Sequence, residues 1–154
     1  MITQSSPEEQ LLRRGRIIQT TVGYSMEPLL HNRRSLVTVE RLSAPPKIHD
    51  VVLYRRETGE YVLHRIIRIR GDRYRIRGDN CNWSETVPKS RLLGVMTAFS
   101  PDGGDMIPVT DKAYQAYVRK HCRQLSLRNS ILWLKRLPGR CVRKAKKIFH
   151  RVKE

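Results

Sequence analysis

Apolar positions fall into short strand-like runs over the first 110 residues and into helical spacing beyond them. Ser6-Pro7-Glu8-Glu9 predicts a helix start: Ser6 caps, Pro7 suits the first helical position, and Glu9 completes a capping box. That helix is expected to pass Leu11-Leu12 and end near Arg14, before Gly15. The β-branched run Ile17 to Val22 predicts a strand leading into Gly23, and Met26 to Leu30 a short turn of helix. Ser35 to Glu40 alternates like a half-buried strand, and Ser43-Ala44-Pro45-Pro46 breaks the pattern. Val51 to Tyr54, Tyr61 to Ile69 and Arg73 to Arg77 then read as a β meander. Its turns fall at Glu57–Glu60 and Gly71-Asp72. Leu92 to Phe99 is the last predicted strand, and Ser100 to Gly104 closes the β region.

From residue 111 the pattern is helical. Tyr114, Tyr117, Val118, His121, Cys122 and Leu125 share one face. After Leu127-Arg128-Asn129-Ser130 the apolar run resumes from Ile131 to Leu137, and Pro138-Gly139 breaks it. Cys141, Val142, Ala145, Ile148, Phe149 and Val152 form a further apolar stripe among lysines and arginines. The expected organisation is a mainly β domain over 1–110, with a short N-terminal helix, and a basic helical extension over 111–154.

Charge sharpens that division. The 154 residues hold 31 Lys and Arg against 14 Asp and Glu, a net of +17, and residues 111–154 alone carry +12. Such a tail is either a solvated helical face or an attractor of polyanions, meaning an anionic membrane or nucleic acid. Cys81, Cys122 and Cys141 leave an odd thiol under any pairing and have no ligand spacing, which predicts a reducing compartment and no structural metal. Met1 to Gln10 is polar and acidic, and no run approaches the ~20 apolar residues of a spanning helix. The expected location is cytoplasmic, free or peripheral at the inner face of the membrane.

The candidate chemistry lies in three segments. Gly23-Tyr24-Ser25-Met26-Glu27-Pro28 offers a hydroxyl at a turn, Leu63-His64-Arg65-Ile66 an imidazole in an apolar run, and Arg77-Gly78-Asp79-Asn80 a carboxylate in a turn. Serine, histidine and carboxylate are the parts that make a hydroxyl nucleophilic. A turn after a strand can lift Ser25 out of the backbone and aim neighbouring N–H groups at an oxyanion. A histidine's ordinary pKa of about 6.5 suits base work near neutrality. His31, His49, His121 and His150 are scattered and read as ordinary.

Together these segments resemble the signal peptidase I branch of the serine peptidase group that also contains LexA-type self-cleaving repressors. The resemblance covers roughly residues 22–96. Gly23-x-Ser25-Met26-x-Pro28 is similar to the family's G-x-S-M-x-P box, and Asp50-Val51-Val52 to its G-D-hydrophobic box. His64-Arg65-Ile66 is similar to the box bearing the base, Gly78-Asp79-Asn80 to the G-D-N box, and Gly94-Val95-Met96 to the strand after it. Histidine rather than lysine at position 64 points to the archaeal and endoplasmic-reticulum type. The resemblance implies a LexA/signal peptidase-like β-rich fold, Ser25 as nucleophile and His64 as general base. Gly23, Met26 and Asn80 would shape the site and its oxyanion hole. A carboxylate past G-D-N would orient the histidine: Glu85 stands at that offset, with Asp79 shaping the site, or Asp79 is itself the orienter. No metal or organic cofactor is implied.

The sequence departs from the pattern at His49, where glycine is expected, and at Cys81, where asparagine is common and a small buried thiol is the plain reading. Family members normally carry a membrane anchor. None is read here, so residues 128–154, with Trp133 among Ile131, Leu132 and Leu134, either lie in an anionic interface or pack on the β core. The implied activity is a serine endopeptidase that cuts a leader, signal or propeptide from a precursor bound as an added strand, with small side chains before the cut. Its partner is that precursor, with nucleic acid the least favoured. Two rivals stand: a LexA-like repressor, which needs a DNA-binding domain and usually a lysine base, and a non-catalytic basic module for nucleic acid or anionic membrane.

Overall fold

The capping box forms as the local sequence requires. Ser6 Oγ accepts from the Glu9 N–H at 3.2 Å, and the Glu9 carboxylate accepts from the Ser6 N–H at 3.0 Å. The resulting α1, Pro7–Arg14, ends where the Gly15 N–H reaches the Leu11 carbonyl. The computed structural model describes residues 5–136, with side chains as far as residue 124. Its remaining elements are β1 Arg16–Thr20, β2 Leu36–Arg41, β3 Val51–Arg55, β4 Tyr61–Arg70, β5 Arg73–Arg77, β6 Glu85–Pro88, β7 Leu92–Ser100, β8 Ile107–Pro108 and α2 Lys112–Arg136.

The strands form one antiparallel eight-stranded sheet in the order β1-β2-β7-β3-β4-β5-β6, with β8 on the side of β7. The protein is therefore mainly β. Val51, Val52, Leu53 and Tyr54 of β3 are all buried, which explains why this strand reads as a continuous apolar run rather than an alternation. Val52, Tyr54, Ile66, Tyr74, Ile76, Val87 and Leu92 make one core cluster on the meander. A bulge at Ile67 shifts the β4–β5 register, so that Ile66 faces Ile76 and Arg68 faces Arg75.

Four expectations change. Residues 25–29 form a turn rather than helix, bridged by the Leu30 N–H to the Met26 carbonyl at 3.0 Å and containing a cis Glu27–Pro28 bond. β1 stops at Thr20; the Thr21 N–H still donates to the Ser35 carbonyl at 3.0 Å, and Val22 and Gly23 lie outside any strand before the serine. β6 and β8 had no signal, because only Val87 of β6 is buried and β8 is a two-residue strand containing proline. α2 runs unbroken through Leu127–Ser130. The chain divides into two compact units between Ala116 and Tyr117, a division distinct from the one at 110/111, which is drawn from composition. The Pro138-Gly139 break and the Cys141–Val152 stripe lie outside the described residues. Among the described residues no helix is long and apolar enough to cross a membrane.

Candidate active site

The two motifs around Ser25 and Asp79 are 50 residues apart and are joined backbone to backbone. The Asn80 N–H donates to the Ser25 carbonyl at 2.9 Å, and its side-chain amide donates to the Tyr24 carbonyl at 3.1 Å. Gly78 permits this contact. A Cβ there would lie 2.5 Å from Ser25 O and 3.0 Å from His64 Nε2, with the Cys81 sulfur at 2.8 Å. Only a residue without a side chain lets the turn, the serine main chain and the imidazole meet at one point. Gly23 enters the serine turn at φ 99°, a left-handed conformation that favours glycine, and its N–H donates to Asn32 Oδ1 at 2.8 Å. Met26 is buried beneath the turn.

Ser25 and His64 line the same cleft, of about 470 Å³. One wall runs from Gln19 to Gly23, the other from Tyr61 to His64, and Arg56 and Trp83 also line it. No hydrogen bond joins the Ser25 hydroxyl to His64 among the described residues, and such bonds often close only around bound substrate. The Ser25 and Met26 N–H groups donate to no protein acceptor among the described residues.

The imidazole is held from behind by a relay. His64 Nδ1 lies 3.2 Å from the Tyr54 hydroxyl, which in turn donates to Glu85 Oε1. Glu85 is gripped by Arg56, whose Nη2 is 2.8 Å from Oε1 and whose Nε is 3.1 Å from Oε2. Burial works to raise the Glu85 carboxyl, but the bonds from Arg56 and Tyr54 outweigh it, so Glu85 is held below its ordinary pKa as an acceptor-only carboxylate. Burial, then the Glu85 bond, pushes the Tyr54 phenol far up, so it keeps its single proton. The phenol O–H is donated to Glu85. The Tyr54 oxygen must therefore accept, and the donor is His64 Nδ1–H. Nε2 is then left with its lone pair, the tautomer a general base needs.

Burial, foremost, pushes the His64 pKa down to about 4. Arg56 adds to this, while Glu85 and Asp79 oppose it. The imidazole is thus neutral at pH 7. The Glu85 carboxylate is 3.8 Å from Nδ1, beyond hydrogen-bond reach, and acts on the ring through Tyr54. Trp83 meets the imidazole edge-on at 6.0 Å between centroids, and the Arg56 guanidinium lies 5.4 Å from the centre of the Trp83 ring.

Asp79 has a different place. Both its oxygens bind Arg65, at 2.8 Å to Nε and 2.6 Å to Nη2, and both side chains are buried. Arg65 Nη1 also donates to the His49 carbonyl at 2.9 Å and to the Tyr114 hydroxyl at 3.2 Å. His49 takes φ 80° where the resemblance leads one to expect glycine, so a left-handed turn is kept with a side chain in it. Asp79 thus anchors the turn through Arg65, while Glu85 belongs to the imidazole's relay. Burial pushes the Cys81 thiol up, which keeps it protonated at neutral pH.

Tyr54, Arg56 and Trp83 escaped the sequence reading. A usable signal existed for Tyr54: a tyrosine in a fully buried strand needs a partner for its hydroxyl. Among the described residues no three or more His, Cys, Asp or Glu side chains converge as metal ligands would. No protein-family model matches the chain, and no curated protein matches it.

Proposed function

We propose that this chain is a serine endopeptidase of the signal peptidase/LexA-like kind, in its Ser/His form, and that it releases a leader, signal or propeptide from a precursor. The observation that carries this reading is that His64, backed by Tyr54 and Glu85, lines the same cleft as Ser25. His64 Nε2 takes the Ser25 proton as Oγ attacks a peptide carbonyl, and the Ser25 and Met26 N–H groups receive the oxyanion. The imidazolium then passes its proton to the leaving amine. Water, deprotonated by the same nitrogen, opens the acyl-enzyme and regenerates Ser25.

Substrate binding as an added strand is supported by the sheet. β4 pairs with β5 only from Arg65 onward, so Tyr61 to Leu63 present an edge along the cleft with no ladder partner on that side among the described residues. An extended peptide laid there would pair with the backbone and carry its scissile carbonyl past His64. The test is cleavage of a diverse peptide mixture, read by mass spectrometry. Cuts made by the wild type and lost in Ser25→Ala are expected; identical digests from the two would remove the reading and leave the basic module as its successor.

A further inference from the structure

The β4–β5 hairpin carries a feature that the cleft does not use. Arg68 and Arg70 of β4 stand opposite Arg75 and Arg73 of β5, all four exposed, and Thr86 of β6 continues the first row beside Arg75. With Ser84 these residues line a concavity of about 540 Å³ that contains no acidic and no apolar side chain. Like charges set directly opposite on paired strands destabilise a sheet. Arg75 Nε donates to Ser84 Oγ at 2.8 Å, while Arg68, Arg70 and Arg73 form no ion pair among the described residues. Four guanidinium forks thus line one hollow with no carboxylate among its lining residues.

We propose that this arginine hollow binds an acidic segment of the peptide that the cleft cuts. The inference rests on the peptidase reading for its occupant. Three consecutive residues join the two places: Trp83 lines the cleft, Ser84 the hollow, and Glu85 orients the base. Arg68 lies four residues beyond His64 on β4, roughly 13 Å along the strand, the span of about four residues of extended peptide. Guanidinium forks match carboxylates two bonds at a time. Insertion into a membrane interface would call for apolar anchors, and single-stranded nucleic acid for stacking aromatics, and the lining supplies neither.

The test uses the full chain and a fluorescein-labelled dodecapeptide of alternating Glu and Gly, followed by anisotropy at about 0.15 M salt. Arg68→Gln/Arg73→Gln is compared with Arg13→Gln/Arg14→Gln, which removes the same charge from an exposed part of α1. The hollow variant is expected to bind about tenfold more weakly and the control within about twofold of wild type. Phosphatidylglycerol vesicles and an oligothymidine strand should respond equally to the two variants, since the net charge governs both. Equal loss of peptide in the two variants, or no peptide binding by wild type, overturns the proposal. Selective loss of vesicle or oligonucleotide binding in the hollow variant overturns it in favour of that partner. The melting temperature of the hollow variant should not fall, because two like-charge contacts are relieved. If it falls, Arg68→Lys/Arg73→Lys decides, by keeping the charge and losing the fork: weakened peptide binding supports the proposal and wild-type binding refutes it. Cleavage by wild type against Ser25→Ala runs beside the binding arm. Failure there removes the peptidase reading without deciding the hollow, and failure of binding leaves that reading intact.

Discussion

Tyr54→Phe removes one oxygen and tests the relay. In the wild type that oxygen accepts from His64 Nδ1 at 3.2 Å and donates its own O–H to Glu85. Phenylalanine keeps the ring in the core cluster with Val52, Ile66 and Ile76, so the packing cost is small. Glu85 Oε1 is 3.8 Å from Nδ1, too far to replace the lost acceptor without moving. A buried Nδ1–H without a partner costs about 1–3 kcal/mol, and the neutral ring can escape that cost by moving its proton to Nε2. The base then presents a donor to Ser25 instead of a lone pair. In the transition state the imidazolium also loses a charge-assisted bond worth about 1.5–3 kcal/mol, which corresponds to about a 10- to 150-fold loss in kcat. KM should change little, since the phenol lies behind the ring. Two assays read this: the turnover of a peptide identified as a Ser25-dependent substrate, and long-range proton–nitrogen NMR of the imidazole, with His64→Gln supplying the assignment. The wild-type spectrum should show the Nδ1–H tautomer and the variant a mixture or the reverse. An unchanged tautomer together with kcat within twofold of wild type would refute the relay.

Three further outcomes follow from the same geometry. Because His64 titrates near 4, kcat/KM should stay level from about pH 8 to pH 6 and fall with a midpoint well below the ordinary 6.5, which a pH–rate profile reads directly. The same depression makes the unfolded chain bind a proton that the folded one refuses between about pH 6.5 and 4. Stability contributed by His64 is therefore complete above 6.5 and falls by about 3 kcal/mol across that window, measurable by urea denaturation at stepped pH. Gly78→Ala drives a methyl to within 2.5 Å of Ser25 O, so the serine turn must shift. A loss of about 1–3 kcal/mol is expected, together with about a hundredfold loss of activity, by urea denaturation and peptide cleavage. Asp79→Ala leaves the Arg65 guanidinium buried without its carboxylate and should cost about 3–5 kcal/mol in urea, far more than the loss of an exposed pair such as Arg34–Asp102.

Much of the protein was legible in the chain because it is local. The cap of α1 depends on three neighbouring positions, and the strands of the meander on the alternation or continuity of their own residues. Ser25, His64 and Asp79 could be named because the residue types and turns around them are contiguous in sequence, and Glu85 from the offset that the resemblance implies. What no local pattern contains is the pairing of segments far apart. Gly78 meets Ser25 across 53 positions, and Tyr54 stands between His64 and Glu85 only because β3, β4 and β6 converge behind one cleft. The division of labour between the two carboxylates was likewise decided by the fold, since Arg65 occupies both oxygens of Asp79 while Arg56 and Tyr54 bind Glu85. The four hairpin arginines are visible as basic residues in the sequence. The bulge at Ile67 and the register of β4 against β5 are what make them face one another, because a side chain's neighbours across a sheet depend on strand pairing and not on its place in the chain.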